Sequence, residues 1–244
     1  MSKNIASLDV MRFRGLWILG KASLWLADRR GQVHVLPPSG RASAKHLTLI
    51  ARIPAAAGTG IGRIMSELQS RYPSHHYYPP DTVHVTIKNL DDAAQGMRDQ
   101  SFLVDSVRKI VGSCGPFVLR ARGLGISPGS VFLQLFPEDQ TLARLRHRLS
   151  GVMQEESRRH GNSAAVSERL RDRLFRNAAF ANLIRFSGPV TPAFLAEIAR
   201  YRAHDFGAMA IGACELVRTD KFLSHAGTEI IAQVSIEKTQ QCQS

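Results

Sequence analysis

His84 and Thr86 stand two residues apart in the stretch Pro79-Pro80-Asp81-Thr82-Val83-His84-Val85-Thr86-Ile87-Lys88-Asn89-Leu90. Val83, Val85 and Ile87 alternate with His84, Thr86 and Lys88, a period of two that predicts a β-strand with one apolar face. Residues two apart on a strand project from the same face. An imidazole and a hydroxyl side by side on a rigid strand can share one phosphate. The ring moves a proton and the hydroxyl donates to an oxygen. Pro79 and Pro80 cannot join a central ladder, so they place the start of the strand near Asp81. A lone histidine on a strand more often serves the fold than a reaction, so the surroundings have to decide its role.

Those surroundings read as strands and helices in alternation. His46–Ile53 predicts a strand that Pro54 ends, and Thr59 caps a helix whose Ile61, Ile64, Met65 and Leu68 follow helical spacing. After the motif strand, Leu103, Val104, Val107, Ile110 and Val111 predict a second helix, stopped by Gly112 and Gly115. Phe117–Gly125 reads as a strand running into a glycine-rich turn, Val131–Phe136 as another, and Leu142, Leu145, Leu149 and Val152 mark a third helix. Phe180–Phe186 predicts a strand. Thr191 caps the next helix, with Pro192 at its first position. Two final strands are expected at Gly207–Arg218 and Thr228–Ile236. Strand, helix, motif strand, helix, strand occurs once in each half of the chain.

The chain has 244 residues, enough for one large domain or two small lobes with a proper core. Its net charge of +12 points toward polyanions, nucleic acid first, although many basic proteins are merely soluble. No apolar run approaches the ~20 residues that span a bilayer. Cys114, Cys214 and Cys242 form neither a metal spacing nor a disulfide framework, which suits a reducing, cytoplasmic location. Gly58-Thr59-Gly60-Ile61-Gly62 lacks the lysine of a phosphate loop. Residues 1–44 read as an extension: a hairpin of Ser23–Leu26 and Val33–Leu36 turning at Asp28–Gly31, then a linker at Pro37–Gly40. Residues 238–244 read as a tail. Arg169, Arg173 and Arg176 fall on one helical face, either a solvated surface or a rail for phosphates.

The twelve residues from Pro79 to Leu90 resemble the first signature of the two-histidine (2H) phosphoesterase superfamily, the RNA 2′,3′-cyclic phosphodiesterase and 2′-5′ RNA ligase-like proteins. The order of elements extends the resemblance over residues 45–237. It implies an α+β, two-lobed 2H phosphoesterase-like fold, with antiparallel sheets lining a central cleft and helices outside. It implies hydrolysis of 2′,3′-cyclic phosphates on RNA ends or nucleotides, with no cofactor and no metal. His84 and Thr86 match the family's first His-x-Thr as catalytic residues. The second motif is expected at Asn182-Leu183-Ile184, with Asn182 in the histidine place and Ile184 in the threonine place. Glu215–Gly227 resembles the closing hairpin, though Ile230 stands where an aromatic residue is usual.

That departure matters chemically. The family mechanism uses one imidazole to activate water and another to protonate the leaving oxygen. A carboxamide does neither at neutral pH, but it can hydrogen-bond a phosphate. Arg185 is adjacent, and a β-bulge or a one-residue register difference would bring it into the cleft. Asn182, Arg185 and Lys88 are therefore the substrate-binding candidates. His75, His76 and His225 are substitute acids or bases, with surface histidine the simpler reading of each. Two functions stay open: a cyclic phosphodiesterase, or an RNA- or phosphate-binding module of the same fold that has lost turnover. The sequence leaves the oligomeric state open.

Overall fold

Strands that alternate apolar and polar residues pair when one face can be buried, and here they do so twice. The computed structural model describes residues 18, 20–26, 45–54, 59–91, 101–159 and 179–236. In chain order these form β1 (His46–Arg52), α1 (Thr59–Arg71), β2 (His76–Tyr77), a 3-10 turn (Pro80–Thr82), β3 (His84–Asn89) and α2 (Ser101–Gly112). They continue with β4 (Phe117–Ser127), β5 (Ser130–Pro137), α3 (Thr141–Arg159), β6 (Ala179–Arg185) and α4 (Pro192–Arg200). The last strands are β7 (Asp205–Ile211), β8 (Ala213–Thr219) and β9 (Glu229–Ser235). One sheet has the order β3-β1-β8-β9 and the other β2-β6-β5-β4-β7, every pairing antiparallel. The fold is α+β with two lobes, as the sequence implies.

The two lobes repeat one plan. β3 pairs with β1, and β1 with β8 and then β9; β6 pairs with β5, and β5 with β4 and then β7. The expected strand Gly207–Arg218 is in fact two strands in different sheets. Gly212 separates them, and its carbonyl accepts from the Ile236 N–H at 2.7 Å instead of continuing a ladder. The chain changes lobes there. α4 begins as its sequence predicts, with the Thr191 hydroxyl accepting from the Phe194 N–H and Pro192 at the first turn.

Apolar faces of both sheets and of the helices merge into one core that includes Val85, Leu119, Leu133 and Phe194. β3 is an edge strand, and a free edge exposes unpaired carbonyls. Arg146 of α3 donates from Nε to the Ile87 carbonyl and from Nη2 to the Thr86 carbonyl, which closes that edge. Residues 20–26 are helical, which corrects the expected strand at Ser23–Leu26. Leu24 is buried there while Trp25 and Leu26 are exposed, a single anchor and not a two-residue alternation. Gly20 lies so close to the Ile126 carbonyl that a Cβ would sit 2.2 Å from its oxygen. Val33–Leu36, the Pro37–Gly40 linker, the arginine face at 169–176 and the tail fall outside the described residues. No helix among the described residues is long and apolar enough to cross a membrane.

His75 is buried, contrary to the surface position expected of it. Its ring lies 4.6 Å from that of Phe194 and 5.6 Å from that of Phe186, and its Nδ1 has no hydrogen-bond partner among the described residues. Burial lowers its pKa below the ordinary 6.5, so the folded state holds it neutral. The unfolded chain then binds more protons between that lowered value and 6.5, and stability rises with pH across this window. Denaturant unfolding at pH 7.5 and at pH 5.5 should show stability falling as the pH drops through about 6.5. His75→Leu should lose part of that decline; an unchanged decline would remove His75 from its cause.

Candidate active site

Cross-strand partners share a face of their sheet, so the ladder registers tell which side chains meet the cleft. In the first lobe Arg52 pairs with His84 and Ile50 with Thr86. In the second, Gln134 pairs with Phe180 and Phe132 with Asn182. The two pairs correspond position for position under the repeated plan of the lobes. Both motif strands then bulge. The β1–β3 register skips Ile87, so the next pair is Leu49 with Lys88; the β5–β6 register skips Leu183, so the next pairs are Val131 with Ile184 and Ser130 with Arg185.

The bulges correct three expectations. Lys88 shares the face of Leu49, is buried, and lies on the far side of the sheet from His84 and Thr86. It does not line the cleft, because the extra residue at Ile87 reverses the alternation after Thr86. Ile184 pairs with the buried Val131 and belongs to the core. The match of motifs also shifts by two residues: Phe180 occupies the place of His84, and Asn182 the place of Thr86. Arg185 falls on the face that carries Phe132, Asn182 and Ser130, which is the outcome a bulge would give.

His84 is half-buried, and its Nδ1 lies 2.8 Å from the Thr82 carbonyl oxygen. A carbonyl only accepts, so Nδ1 carries the hydrogen and Nε2 keeps its lone pair. The 3-10 turn at Pro80–Thr82 sets this carbonyl in place, with the Thr82 N–H and hydroxyl both donating to the Pro79 carbonyl. Burial lowers the His84 pKa below its ordinary value. The bond to Thr82 and the charge of Glu215 oppose that shift, and Arg52 and Arg185 reinforce it. Arg52 is held against Glu215, with Nε 2.9 Å from Oε2. The result is a neutral imidazole at pH 7 with a bare Nε2, flanked by guanidinium groups. A neutral imidazole with a bare nitrogen is able to accept a proton, and guanidinium groups are able to pair with a phosphate.

β2 builds the far end of the site. His76 pairs with Arg185 across the ladder, and the Arg185 Nε–H donates to the Tyr78 hydroxyl at 3.3 Å. The His76 ring lies between those of Tyr78 and Phe222, at 5.3 Å and 5.4 Å. Its pKa is lowered by burial and by Arg185, with Asp220 pulling the other way. His225 is exposed and pairs with Asp81 at 3.2 Å. The loop from Asp220 to Gly227 closes this end. Asp220 accepts from the N–H groups of Phe222 and Ser224, and Leu223 packs on Ile50 and Val217. No group of three metal-ligating side chains occurs among the described residues.

Sequence reasoning missed Arg52, Glu215, Tyr78 and Phe180. Arg52 carried one signal, a charge at the end of a largely apolar strand, and Glu215 carried another, an acidic residue inside a strand segment. Phe180 carried none, because its meaning depends on the register of β6.

No protein-family model matches the sequence, and no curated protein matches it. Solved structures do match. TT0787 of Thermus thermophilus is 18% identical, with a TM-score of 0.54 over 80% of this chain and 99% of that one. E. coli LigT, crystallised with ATP, is 13% identical, with a TM-score of 0.50 over 80% of this chain and 99% of that one. The fold is that of LigT. The architecture implied by the Pro79–Leu90 signature therefore stands, and at this level of identity the likeness concerns the fold and not the chemistry.

The charges around His84 can be checked one at a time by NMR titration of its ring. Arg185→Gln should raise the His84 pKa and Glu215→Gln should lower it. No change from Arg185→Gln would place that guanidinium too far away to serve the same phosphate.

Proposed function

We propose that the cleft binds the phosphate of a 2′,3′-cyclic nucleotide or RNA end, and that His84 hydrolyses it as the single proton-transfer group of a degenerate 2H phosphodiesterase. The observation that carries this reading is the His84 tautomer: Nδ1 is tied to the Thr82 carbonyl, and Nε2 is left bare on the face of Thr86. Nε2 takes a proton from water as its oxygen attacks phosphorus. The bond from phosphorus to the 2′- or 3′-oxygen breaks, and the imidazolium returns the proton to that oxygen. Thr86 and Asn182 donate to the non-bridging oxygens, and Arg185 offsets the charge that grows on them. Nothing in this sequence of steps needs a cofactor. LigT was crystallised with ATP, and a nucleotide complex of a protein with this fold supports the same substrate class here. The net charge of +12 suits an anionic substrate. The buried free thiols of Cys114 and Cys214 suit a reducing compartment, the cytoplasm.

One observation favours a second reading. Phe180 fills the place of the second catalytic imidazole and cannot carry a proton. A protein that only binds phosphate esters would keep Thr86, Asn182 and Arg185 and lose turnover.

Product formation from a 2′,3′-cyclic nucleotide, followed by chromatography, separates the two. The wild type should turn over slowly, since one imidazole does the work of two. His84→Ala should lose about 10²- to 10⁴-fold while keeping its fold. Thr86→Ala should lose less, because it removes a hydrogen bond and no proton relay. Phe180→His with Asn182→Thr should raise turnover, because those are the places of His84 and Thr86 in the second lobe. Equal inertness of wild type and His84→Ala, with ligand still bound, would establish the binding module. The pH profile of kcat should rise with pH through an inflection below 6.5, as the lowered His84 pKa requires.

A further inference from the structure

The wall opposite His84 carries a feature that phosphate chemistry does not use. Phe180 is 48% exposed, an uncommon state for a large apolar ring on an inward-facing position. Its centroid lies 5.5 Å from that of Phe132, which shares its face of the sheet. Phe132 packs directly against Gly125, its cross-strand partner on β4: a Cβ at position 125 would come within 2.3 Å of the ring. Glycine there leaves room for the Phe132 ring, which is tilted by 56° against that of Phe180. Gln134, the cross-strand partner of Phe180, is 4% exposed and shares its face of the sheet, which brings its carboxamide beside the two rings. Asn182 stands on the same face one step along, before the bulge that delivers Arg185.

We propose that Phe180 and Phe132 form a stacking shelf for the nucleobase of the ligand, with the Gln134 carboxamide pairing with the edge of that base. A nucleobase fits all three features. Its π-face stacks on an aromatic ring whatever its sequence identity, and its edge offers the donor and acceptor pair that a carboxamide matches. Successive same-face residues of a strand are about 6–7 Å apart, so a base over Phe180 leaves room for a ribose between it and a phosphate near Asn182 and Thr86. The shelf occupies the place of a second catalytic histidine, so the second lobe holds the substrate while the first reacts. This assignment rests on the reading of the cleft as a phosphate site.

Calorimetric titration of the full chain with adenosine 3′-monophosphate, adenosine, ribose 5-phosphate and inorganic phosphate tests it. Adenosine 3′-monophosphate should bind about tenfold or more tightly than ribose 5-phosphate. Phe180→Ala should remove that difference and leave inorganic phosphate affinity unchanged, and Phe180→Trp should retain it. Gln134→Leu should weaken adenosine binding without affecting phosphate. Equal affinity for nucleotide and ribose phosphate, or a Phe180→Ala variant that binds the nucleotide like wild type, would overturn the shelf while leaving phosphate binding intact. Adenosine that binds through Phe180 while phosphate neither binds nor competes would uphold the shelf and overturn the phosphate site. Phe180 is exposed, so its variants keep the core, which circular dichroism verifies.

Discussion

A bulge at Leu183 in β6 turns Arg185 onto the cleft face and Ile184 into the core, and a matching bulge at Ile87 in β3 sends Lys88 away from the site. One extra residue in a ladder reverses every side chain that follows it. The composition of the site depends on those two reversals. Without the β6 bulge, the cleft would present Ile184 where a cation now stands. Without the β3 bulge, Lys88 would join His84 and Thr86, and the imidazole would sit beside a third positive charge. The residues they redirect inward, Ile184 and Lys88, are buried, and Arg146 secures the carbonyls of Thr86 and Ile87 where the edge strand deforms.

Electrostatics then fix the state of His84. Two arginines and burial disfavour the imidazolium; Glu215 and the Thr82 carbonyl favour it, and the former prevail. A neutral ring with a defined tautomer is what a general base needs at pH 7. The same arrangement limits the site. In the proposed reaction Phe180 stands in the place of a second imidazole, so the proton that His84 removes returns from His84. The lobes are asymmetric: the first presents the imidazole of His84, and the second presents charge through Arg185 and aromatic surface through Phe180 and Phe132.

Much of the fold was legible in the chain because it is written in periods of two and of three to four. The motif strand, its Pro79-Pro80 lead-in, α1, α2 and the Thr191-Pro192 helix start all follow from local spacing. The first half of the site was legible for the same reason, since His84 and Thr86 share a face in any regular strand. The second half was not. Asn182 and Ile184 look like a His-x-Thr remnant only when β6 is assumed regular, and the ladder to β5 decides otherwise. The division of Gly207–Arg218 between two sheets was equally hidden, because a strand that changes sheets keeps its β-propensity throughout. Arg52, Glu215 and Tyr78 reach the site through long-range pairing, which no local window contains.

The most direct measurement is a crystal structure with adenosine 3′-monophosphate bound. The account predicts the phosphate within about 2.6–3.2 Å of the His84 Nε2, with Thr86 and Arg185 on its oxygens and the base against Phe180. A phosphate held elsewhere, with the His84 Nε2 facing only solvent, would contradict it.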